Sequence, residues 1–429
     1  MESALTLFWF RRDLRLEDNT ALSESLKSGH PVMGIFIFDT HIIDELPDDD
    51  PRINFIYEQL FVINRALRSS GSSLVIYRGD PLSVWKQILK DHRIGEVYFN
   101  RDYEPYAIAR DEKIGKVLAD SGIPCHSFKD QVMFEKDEVV KPDGDPYTVF
   151  TPYKNRWLSR FNESGLPAEK KVDTSRFIKH TVHFPTLQEL GFRESAIQVK
   201  DYSLDVADAY ESTRNFPAMD GTSLLSPHLR FGTVSIRHII RQLPASSTSF
   251  LNELIWREFF MQILFHFPDV VNENFRRKYD GIPWRNNEKE FAAWCEGRTG
   301  YPMVDAGMRQ LNQSGWMHNR VRMVVAGFLC KHLMIDWRWG EAYFAQKLLD
   351  YELSSNNGNW QWAAGTGCDA APYFRVFNPS EQLKKFDRDQ VYVKQWIPEL
   401  NTPEYPEPMV DHAMARERAI DLYRQGINS

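Results

Sequence analysis

The sequence contains no apolar run near the roughly 20 residues needed to span a bilayer, which argues against membrane insertion. Cysteine is scarce: Cys125, Cys295, Cys330 and Cys368 are scattered singly. Such spacing offers neither a zinc knuckle nor a disulfide framework, so buried structural thiols are expected. No cation precedes the first apolar stretch. Glu2 stands where a signal peptide carries positive charge, and the stretch stops at Arg11-Arg12 without a small-residue cleavage site. A cytoplasmic location is expected. Basic charge is also in deficit, the formal net charge being −7, so any nucleic-acid contact must be a local patch. Finally, no glycine-rich dinucleotide fingerprint follows the first apolar run. That run ends in the charged turn Arg11-Arg12-Asp13-Leu14-Arg15, which disfavours a nicotinamide dehydrogenase. Internal repeats and low-complexity tracts are missing as well.

What is present is enough for more than one core. With 429 residues, 42% of them hydrophobic and 26% charged, the chain suits two or three globular domains. Over the first 130 residues, short apolar runs at Leu5–Phe10, Val32–Phe38, Leu74–Tyr77 and Glu96–Asn100 alternate with stretches of helical spacing. The latter lie at Asn54–Ser69, Leu82–Asp91 and Ile108–Ser121. This alternation predicts a doubly wound parallel sheet covered by helices. From about 130 to 200 the periodicity fades, and Lys141-Pro142-Asp143-Gly144-Asp145-Pro146 suggests a long irregular connector. Beyond 200 the pattern is helical, with Ser226-Pro227 and Tyr301-Pro302 marking helix starts. The expected fold is α/β plus all-α, divided as 1–129, 130–200 and 201–429.

Nine of the twelve tryptophans follow residue 250: Trp256, Trp284, Trp294, Trp316, Trp337, Trp339, Trp360, Trp362 and Trp396. Each taken alone is adequately explained as core or groove lining. Leu or Phe would fill space at less polar cost, however, so the clustering points to a shared task. Two tasks suit indoles, stacking on exposed bases and passing single electrons. In Asn252–Phe260 a helix brings Glu253, Trp256, Arg257 and Phe260 to one face; a plain surface pair of Glu253 with Arg257 explains part of this. Gly315–Met323, read as one helix, places Trp316, Asn319 and Met323 together, with Arg320 and Arg322 diverging. Core filler and solvated arginines are the plainer account. Residues 301 to 340 hold five Lys or Arg against two Asp or Glu, making them the best local phosphate-binding surface. Gly221–His228 supplies hydroxyls and free N–H groups where a helix begins, although Ser226 is equally an ordinary N-cap. Asp350–Trp362, read as a loop, crowds two acids, three Asn and two Trp into thirteen positions. That density is costly to bury without a ligand.

Four segments together, FWFRRDLRLEDN at Phe8–Asn19, NELIWREFF at Asn252–Phe260, GYPMVDAGMRQLNQSGWMHNRVRM at Gly300–Met323 and NNGNWQWAAGTGCDAAPYFRVFNP at Asn356–Pro379, resemble the photolyase and cryptochrome family. The likeness runs from about residue 5 to residue 400 and is nearest to the class I cyclobutane pyrimidine dimer photolyases. It implies an antenna-binding α/β domain and a helical domain that holds FAD and binds UV-damaged DNA. By resemblance, Tyr210, Thr222, Ser223, Leu224, Leu225, Ser226, Arg257, Arg322, Asp350, Glu352 and Asn356 contact or support FAD. Asn356 falls beside the flavin nitrogen whose protonation sets the stable redox form, and Glu352 replaces a family aspartate. Glu253 is expected to hydrogen-bond the dimer, Asn319 and Met323 to line its pocket, and Trp256 and Trp362 to grip it through their π-faces. Family members selective for the other main UV lesion carry histidine where Met323 stands. Arg214, Arg320 and Arg375, with Gln382 as a looser match, fall at positions that hold phosphates flanking the lesion. Trp360, Trp337 and Trp284, in that order outward, align with the chain that refills an oxidised flavin with electrons. A second pigment, folate or deazaflavin, is expected in the crevice between the domains, with Tyr103, Glu104 and Arg110 as candidates. The chain is expected to be monomeric and to need no metal.

Two other readings are set against dimer repair. A cryptochrome would use the same flavin and tryptophans for signalling. It often carries a long tail, whereas here about fifty residues follow Asn378-Pro379, and Glu253, Asn319 and Met323 are all kept. A dark flavin oxidoreductase would need a nicotinamide site and a proton-transfer residue near the flavin, and neither is signalled.

Overall fold

A computed structural model describes residues 4–428 and separates into two compact units. The first comprises Met1–Glu138, Leu158–Tyr202 and Leu224–Leu243; the second comprises Val139–Trp157, Ser203–Ser223 and Pro244–Ser429.

The first unit is built on five parallel strands, β1 (Leu5–Phe10), β2 (Val32–Asp39), β3 (Val75–Gly79), β4 (Ile94–Asn100) and β5 (Cys125–Phe128), in the order β3-β2-β1-β4-β5. This is a doubly wound sheet whose strand order reverses between β1 and β4. Helices cover both faces, so the central strand reads as a continuous apolar run, with all six residues of β1 buried. The period of two is visible in what each side chain meets. Phe8 and Phe10 pack with Leu22, Leu60 and Leu67, while Leu7 and Trp9 pack on the opposite face with Trp85, Ile88 and Leu118. The helices start where the local chemistry tells them to. Asn19, Asp50 and Asp80 each accept a hydrogen bond from a backbone N–H of the following turn, and Pro51, Pro81 and Pro105 open the helices Pro51–Ser69, Pro81–Asp91 and Pro105–Asp120.

The charged turn after β1 is a structural knot. Arg12 pairs with Asp102 and Glu104, and the Asn100 amide donates to Asp13 at 2.6 Å. Buried Arg237 bonds Asp18 at 2.9 Å and Asp130 at 2.7 Å. The proposed antenna candidates are likewise committed within this unit. Tyr103 donates to Glu135 at 2.7 Å, Glu104 accepts from Arg12 and Arg230, and the Arg110 guanidinium lies 4.9 Å from the Trp9 ring centre.

Several local expectations need correction. β5 went unread because Cys-His-Ser-Phe has no apolar run, and Cys125 on it is exposed rather than a buried thiol. The connector is not irregular throughout, since Phe150–Ser164 is a helix. Its buried residues Phe150, Tyr153 and Trp157 sit at helical spacing, but polar neighbours dilute the pattern. Trp157 Nε1 donates to buried Glu258 at 2.7 Å. The helix at Ser226 begins with Leu225 in the N-cap position and no side-chain cap bond, so Ser226 is its first residue rather than its cap.

The second unit is helical. Its principal helices are Thr248–His266, Pro302–Ser314, Asn319–Gly327, Trp337–Lys347, Leu353–Ala364 and His412–Asn428. Asn319–Gly327 runs on into a π-helical turn, Phe328–His332. Their shared core holds Trp294, Met308, Val325, Leu329, Trp337, Phe344, Trp360 and Tyr392. Two glycines let aromatic side chains seat directly on a helix backbone. A β-carbon at Gly340 would collide with Trp360, and one at Gly358 would collide with Phe260, so both helices pack more closely than any larger residue permits. Among the described residues no helix is long and apolar enough to cross a membrane.

Candidate functional site

Three helices of the second unit converge on one cavity. Asn319, Arg322, Met323 and Ala326 come from Asn319–Gly327, Phe344 from Trp337–Lys347, and Ser355, Asn356, Asn359, Trp360, Trp362 and Ala363 from Leu353–Ala364; Leu348, Asp350, Tyr351 and Glu352 complete the lining. Counting its open mouth, the cavity encloses about 600 Å³. Eight residues singled out in the sequence therefore share one wall: Asn319, Arg322, Met323, Asp350, Glu352, Asn356, Trp360 and Trp362.

The polar members are fixed in place. Arg322 bonds Asp350 through both carboxylate oxygens, at 2.9 and 3.2 Å, while its Nε donates to the Met317 carbonyl at 2.7 Å. Arg257 lies 3.8 Å from Glu352, which brings it to the cavity edge and dissolves the surface pair with Glu253 considered above. Asn356 Nδ2 donates to the Glu341 carbonyl at 3.1 Å and to its side chain at 2.8 Å. The amide is thus held with Oδ1 as its remaining end. Burial pushes the Glu341 carboxyl above the usual range, offset in part by this bond. Glu341 escaped the sequence reading because its partner is fifteen residues away, and nothing in the local pattern marks it.

Two local readings change here. Gly315–Met323 is not one helix: the helix starts at Asn319, with His318 as its cap, so Trp316 is not on the Met323 face. Asp350–Trp362 is mostly helix rather than loop. Its buried amides find protein partners, with Asn357 and Gln361 both donating to the Val270 carbonyl at 3.0 Å, so they require no ligand.

His318 accepts from Arg320 N–H through Nδ1 at 3.1 Å, a bond that needs an unprotonated nitrogen. Burial, then the charges of Arg322 and Arg320, hold its pKa down at about 4. The unfolded chain therefore takes up this proton at higher pH than the folded one. Stability is intact above pH 6.5 and falls as pH drops toward 4, by on the order of 3 kcal/mol in full. Thermal melts across pH 7 to 4 should show this loss, and His318→Asn, which keeps a cap without titrating, should flatten the curve. An unchanged curve in that variant would exclude His318 as the source.

A cationic group lies beside the cavity residues. Arg320 Nη1 is 3.7 Å from Met323 Sδ, its guanidinium lies 4.5 Å from the Phe386 ring centre, and Nη2 donates to Asn215 at 2.5 Å. Burial and then the like charges of Arg214 and Arg375 lower its pKa, so Arg320 is repelled by both. An anion would relieve that repulsion. Arg214 pairs with Glu253 at 2.6 Å. Burial raises the Glu253 carboxyl above the usual range, and Arg214 opposes this. Gln382 has a buried Oε1 without a hydrogen-bond partner.

The remaining residues are less concentrated. Trp256 stacks on Phe150 at 3.6 Å between ring centres and within 7° of parallel, so one indole face is already covered. Trp360 contacts Phe344 and Trp294 at 5.0 and 6.1 Å. Buried Trp337 donates to Asn274 at 2.9 Å, and half-buried Trp284 lies edge-on to Tyr423 at 5.9 Å. Tyr210 packs 5.1 Å from Phe250, and burial, then Glu253, push its hydroxyl up to about 12. Thr222 and Ser223 belong to the second unit, and Leu224, Leu225 and Ser226 to the first; Leu224 takes a positive φ of 54°.

A lining that combines the rings of Phe344, Trp360 and Trp362 with guanidinium, carboxylate and amide groups suits a planar heteroaromatic ligand with a polar edge. The donor set fits a flavin. Among the described residues no cluster of three His, Cys, Asp or Glu could hold a metal ion.

Comparison with known proteins agrees with this chemistry. Residues 6–172 match the DNA photolyase family model, and residues 250–404 match the FAD binding domain of DNA photolyase. The chain is 36% identical to a deoxyribodipyrimidine photo-lyase of Halobacterium salinarum, covering 98% of this chain and 99% of that one. It superposes on a class III photolyase from Agrobacterium tumefaciens with a TM-score of 0.87 at 35% identity, covering 100% and 99% of the two chains. An archaeal photolyase from Sulfolobus tokodaii, whose structure holds two FAD molecules, matches with a TM-score of 0.87 at 34% identity over 98% and 99%. Identity at this level along essentially the whole length of both chains makes this protein a member of the FAD-binding photolyase and cryptochrome family.

Proposed function

We propose that this chain splits cyclobutane pyrimidine dimers in UV-damaged DNA, using light absorbed by bound reduced FAD. The observation that carries the reading is the convergence of Arg214, Arg320 and Arg375, with Glu253 paired to the first and Met323 in contact with the second. A phosphate-binding group thus adjoins residues that reach the cavity.

Arg322, Asp350, Arg257, Glu352 and Asn356 would hold the flavin ring, and Tyr210, Thr222, Ser223, Leu224, Leu225 and Ser226 would serve the rest of FAD. The chemistry such a reduced flavin would supply is reversible one-electron donation on excitation, which leaves dimer splitting redox-neutral overall. The protein positions the partners and shapes the field around them. Its arginines and Gln382 hold phosphates on either side of the lesion. A damaged pair stacks poorly, which lowers the cost of swinging it out of the helix, as photolyases and other base-modifying enzymes do. Asn319 and Met323 line the dimer pocket, and Trp362 and Trp256 grip the bases.

Glu253 has two successive roles in this scheme. Without DNA it neutralises Arg214. When a phosphate takes that arginine, the carboxyl loses the charge that favoured ionisation. Its pKa rises further, and the protonated acid donates a hydrogen bond to a base carbonyl where negative charge develops.

Trp360, then Trp337, then Trp284 would return electrons to an oxidised flavin. A folate or deazaflavin antenna is assigned to the first unit. The protein is proposed to act as a cytoplasmic monomer.

The test is recovery of intact thymines from a dimer-containing oligonucleotide, with chemically reduced protein, in blue light and in darkness. Light-dependent recovery is expected; none would sink the repair reading and favour a photoreceptor. Glu253→Ala should keep its flavin but lose about tenfold in repair yield per photon, the equivalent of one charge-assisted hydrogen bond of ~1.5 kcal/mol. An undiminished yield would remove Glu253 from the mechanism.

A further inference from the structure

We propose that Lys331 is a positioning residue for DNA binding: its buried ammonium clamps the backbone of the segment that presents Phe374 and Arg375. The inference rests on the reading of Arg375 as a phosphate contact.

Lys331 is only 2% exposed, an unusual state for lysine, which is almost never fully buried unless paired. Among the described residues no carboxylate pairs with it. Its Nζ instead donates to the Arg375 carbonyl at 3.0 Å, across 44 residues of sequence. A charged donor to a neutral carbonyl is stronger than an amide–carbonyl bond, and here it fixes main chain rather than a side chain. The lysine reaches inward from the π-helical turn Phe328–His332. Such a turn inserts one extra residue into a helix, and it is found disproportionately at functional sites.

Between the helices Leu353–Ala364 and Pro379–Phe386 there is no regular element, so the shape of the segment depends on individual anchors. The Thr366 carbonyl accepts from Arg276 N–H at 2.9 Å, Asp369 accepts from Phe150 N–H at 3.1 Å, and Tyr373 stacks on buried Tyr423 at 5.7 Å within 6° of parallel. Arg375 N–H closes a turn on the Pro372 carbonyl at 2.9 Å, and the Lys331 bond ties that same residue, whose charge acts on Arg320, to the helical core. Past Tyr373 the side chains turn outward. Phe374 is exposed, and the Arg375 guanidinium lies 5.5 Å from the Phe377 ring centre. Without the clamp, Arg375 must be ordered when DNA binds, and that entropy is taken from affinity.

A second consequence is electrostatic. Burial brings the Lys331 pKa down to about 8, with Cys330 opposing the shift and the Arg375 charge adding to it. The clamp and the phosphate-binding arginine are therefore coupled by charge as well as by the hydrogen bond.

The experiment compares Lys331→Met with the parent holoprotein. Binding to a dimer-containing duplex should weaken about tenfold, equivalent to about 1.4 kcal/mol. The loss should appear in the DNA concentration for half-maximal repair and not in yield at saturation. Flavin content and flavin photoreduction, which report the folded cavity, should match the parent. Amide exchange at 370–377 should quicken. On an Arg375→Ala background, Lys331→Met should weaken binding by less than threefold further, because the clamp acts through that residue. Should Lys331→Met fail to load FAD, Lys331→Leu, which likewise removes the donor, carries the same comparison. Parent-like affinity in a flavin-loaded variant overturns the proposal, as does a full additional loss in the double variant. If Arg375→Ala itself leaves affinity unchanged, it is the phosphate reading that fails.

Discussion

Arg322→Ala is expected to purify with less than about one tenth of the flavin carried by the parent protein, read from the ratio of visible to near-UV absorbance. Arg322 meets Asp350 through both carboxylate oxygens, and the Asp350 side chain is 5% exposed. Removing the arginine breaks a buried ion pair, a change that typically costs about 3–5 kcal/mol. It also deletes the bond to the Met317 carbonyl, which ties the start of the Asn319–Gly327 helix to the cavity wall. Arg322→Lys separates the two effects. It keeps the charge but not the planar fork, so it should retain flavin at reduced affinity. Stoichiometric flavin in Arg322→Ala would mean that the cavity is not where the ring binds.

Trp360→Phe is expected to slow light-driven reduction of oxidised flavin by at least about tenfold while leaving repair by chemically reduced protein within about twofold. The basis is placement combined with chemistry. Trp360 lines the cavity, is 2% exposed, and rests against Phe344 and Trp294. Phenylalanine preserves a ring there but is far harder to oxidise, and the vacated volume should cost only about 1–2 kcal/mol of stability. Trp337→Phe and Trp284→Phe should act in the same direction. Equal loss of photoreduction and repair in Trp337→Phe would show that the substitution damages the fold or the dimer site rather than an electron path. Flash spectroscopy of the three variants distinguishes these outcomes.

The sheet of the first unit was legible because buried parallel strands are written as unbroken apolar runs. β1 begins and ends where its run does, and Pro51–Ser69 and Pro81–Asp91 carry both a capping Asp and a proline in plain sight, while Pro105–Asp120 carries the proline alone. β5 and the Phe150–Ser164 helix were not legible, since an edge strand and a half-buried helix need little apolar patterning. Asp350–Trp362 was misread for a related reason. A helix that buries Ser354, Asn356, Asn357 and Gln361 beside Trp360, Ala363 and Ala364 looks like a loop until the carbonyls that satisfy its amides are brought in from Val270 and Glu341.

By itself the sequence determined the class of each half of the chain, the residues rich in site chemistry and the family to which they belong. These follow from periodicity and composition within short windows, where neighbours in sequence are neighbours in space. Only the tertiary structure decided who partners whom. Glu253 pairs with Arg214 and not with Arg257, Asn356 is oriented by Glu341, and Lys331 grips the Arg375 backbone. Each of these contacts closes a loop of fifteen to forty-four residues, and the geometry that selects it is set by how whole helices pack. No local signal specifies such a contact, because its free energy exists only once both ends have been buried together.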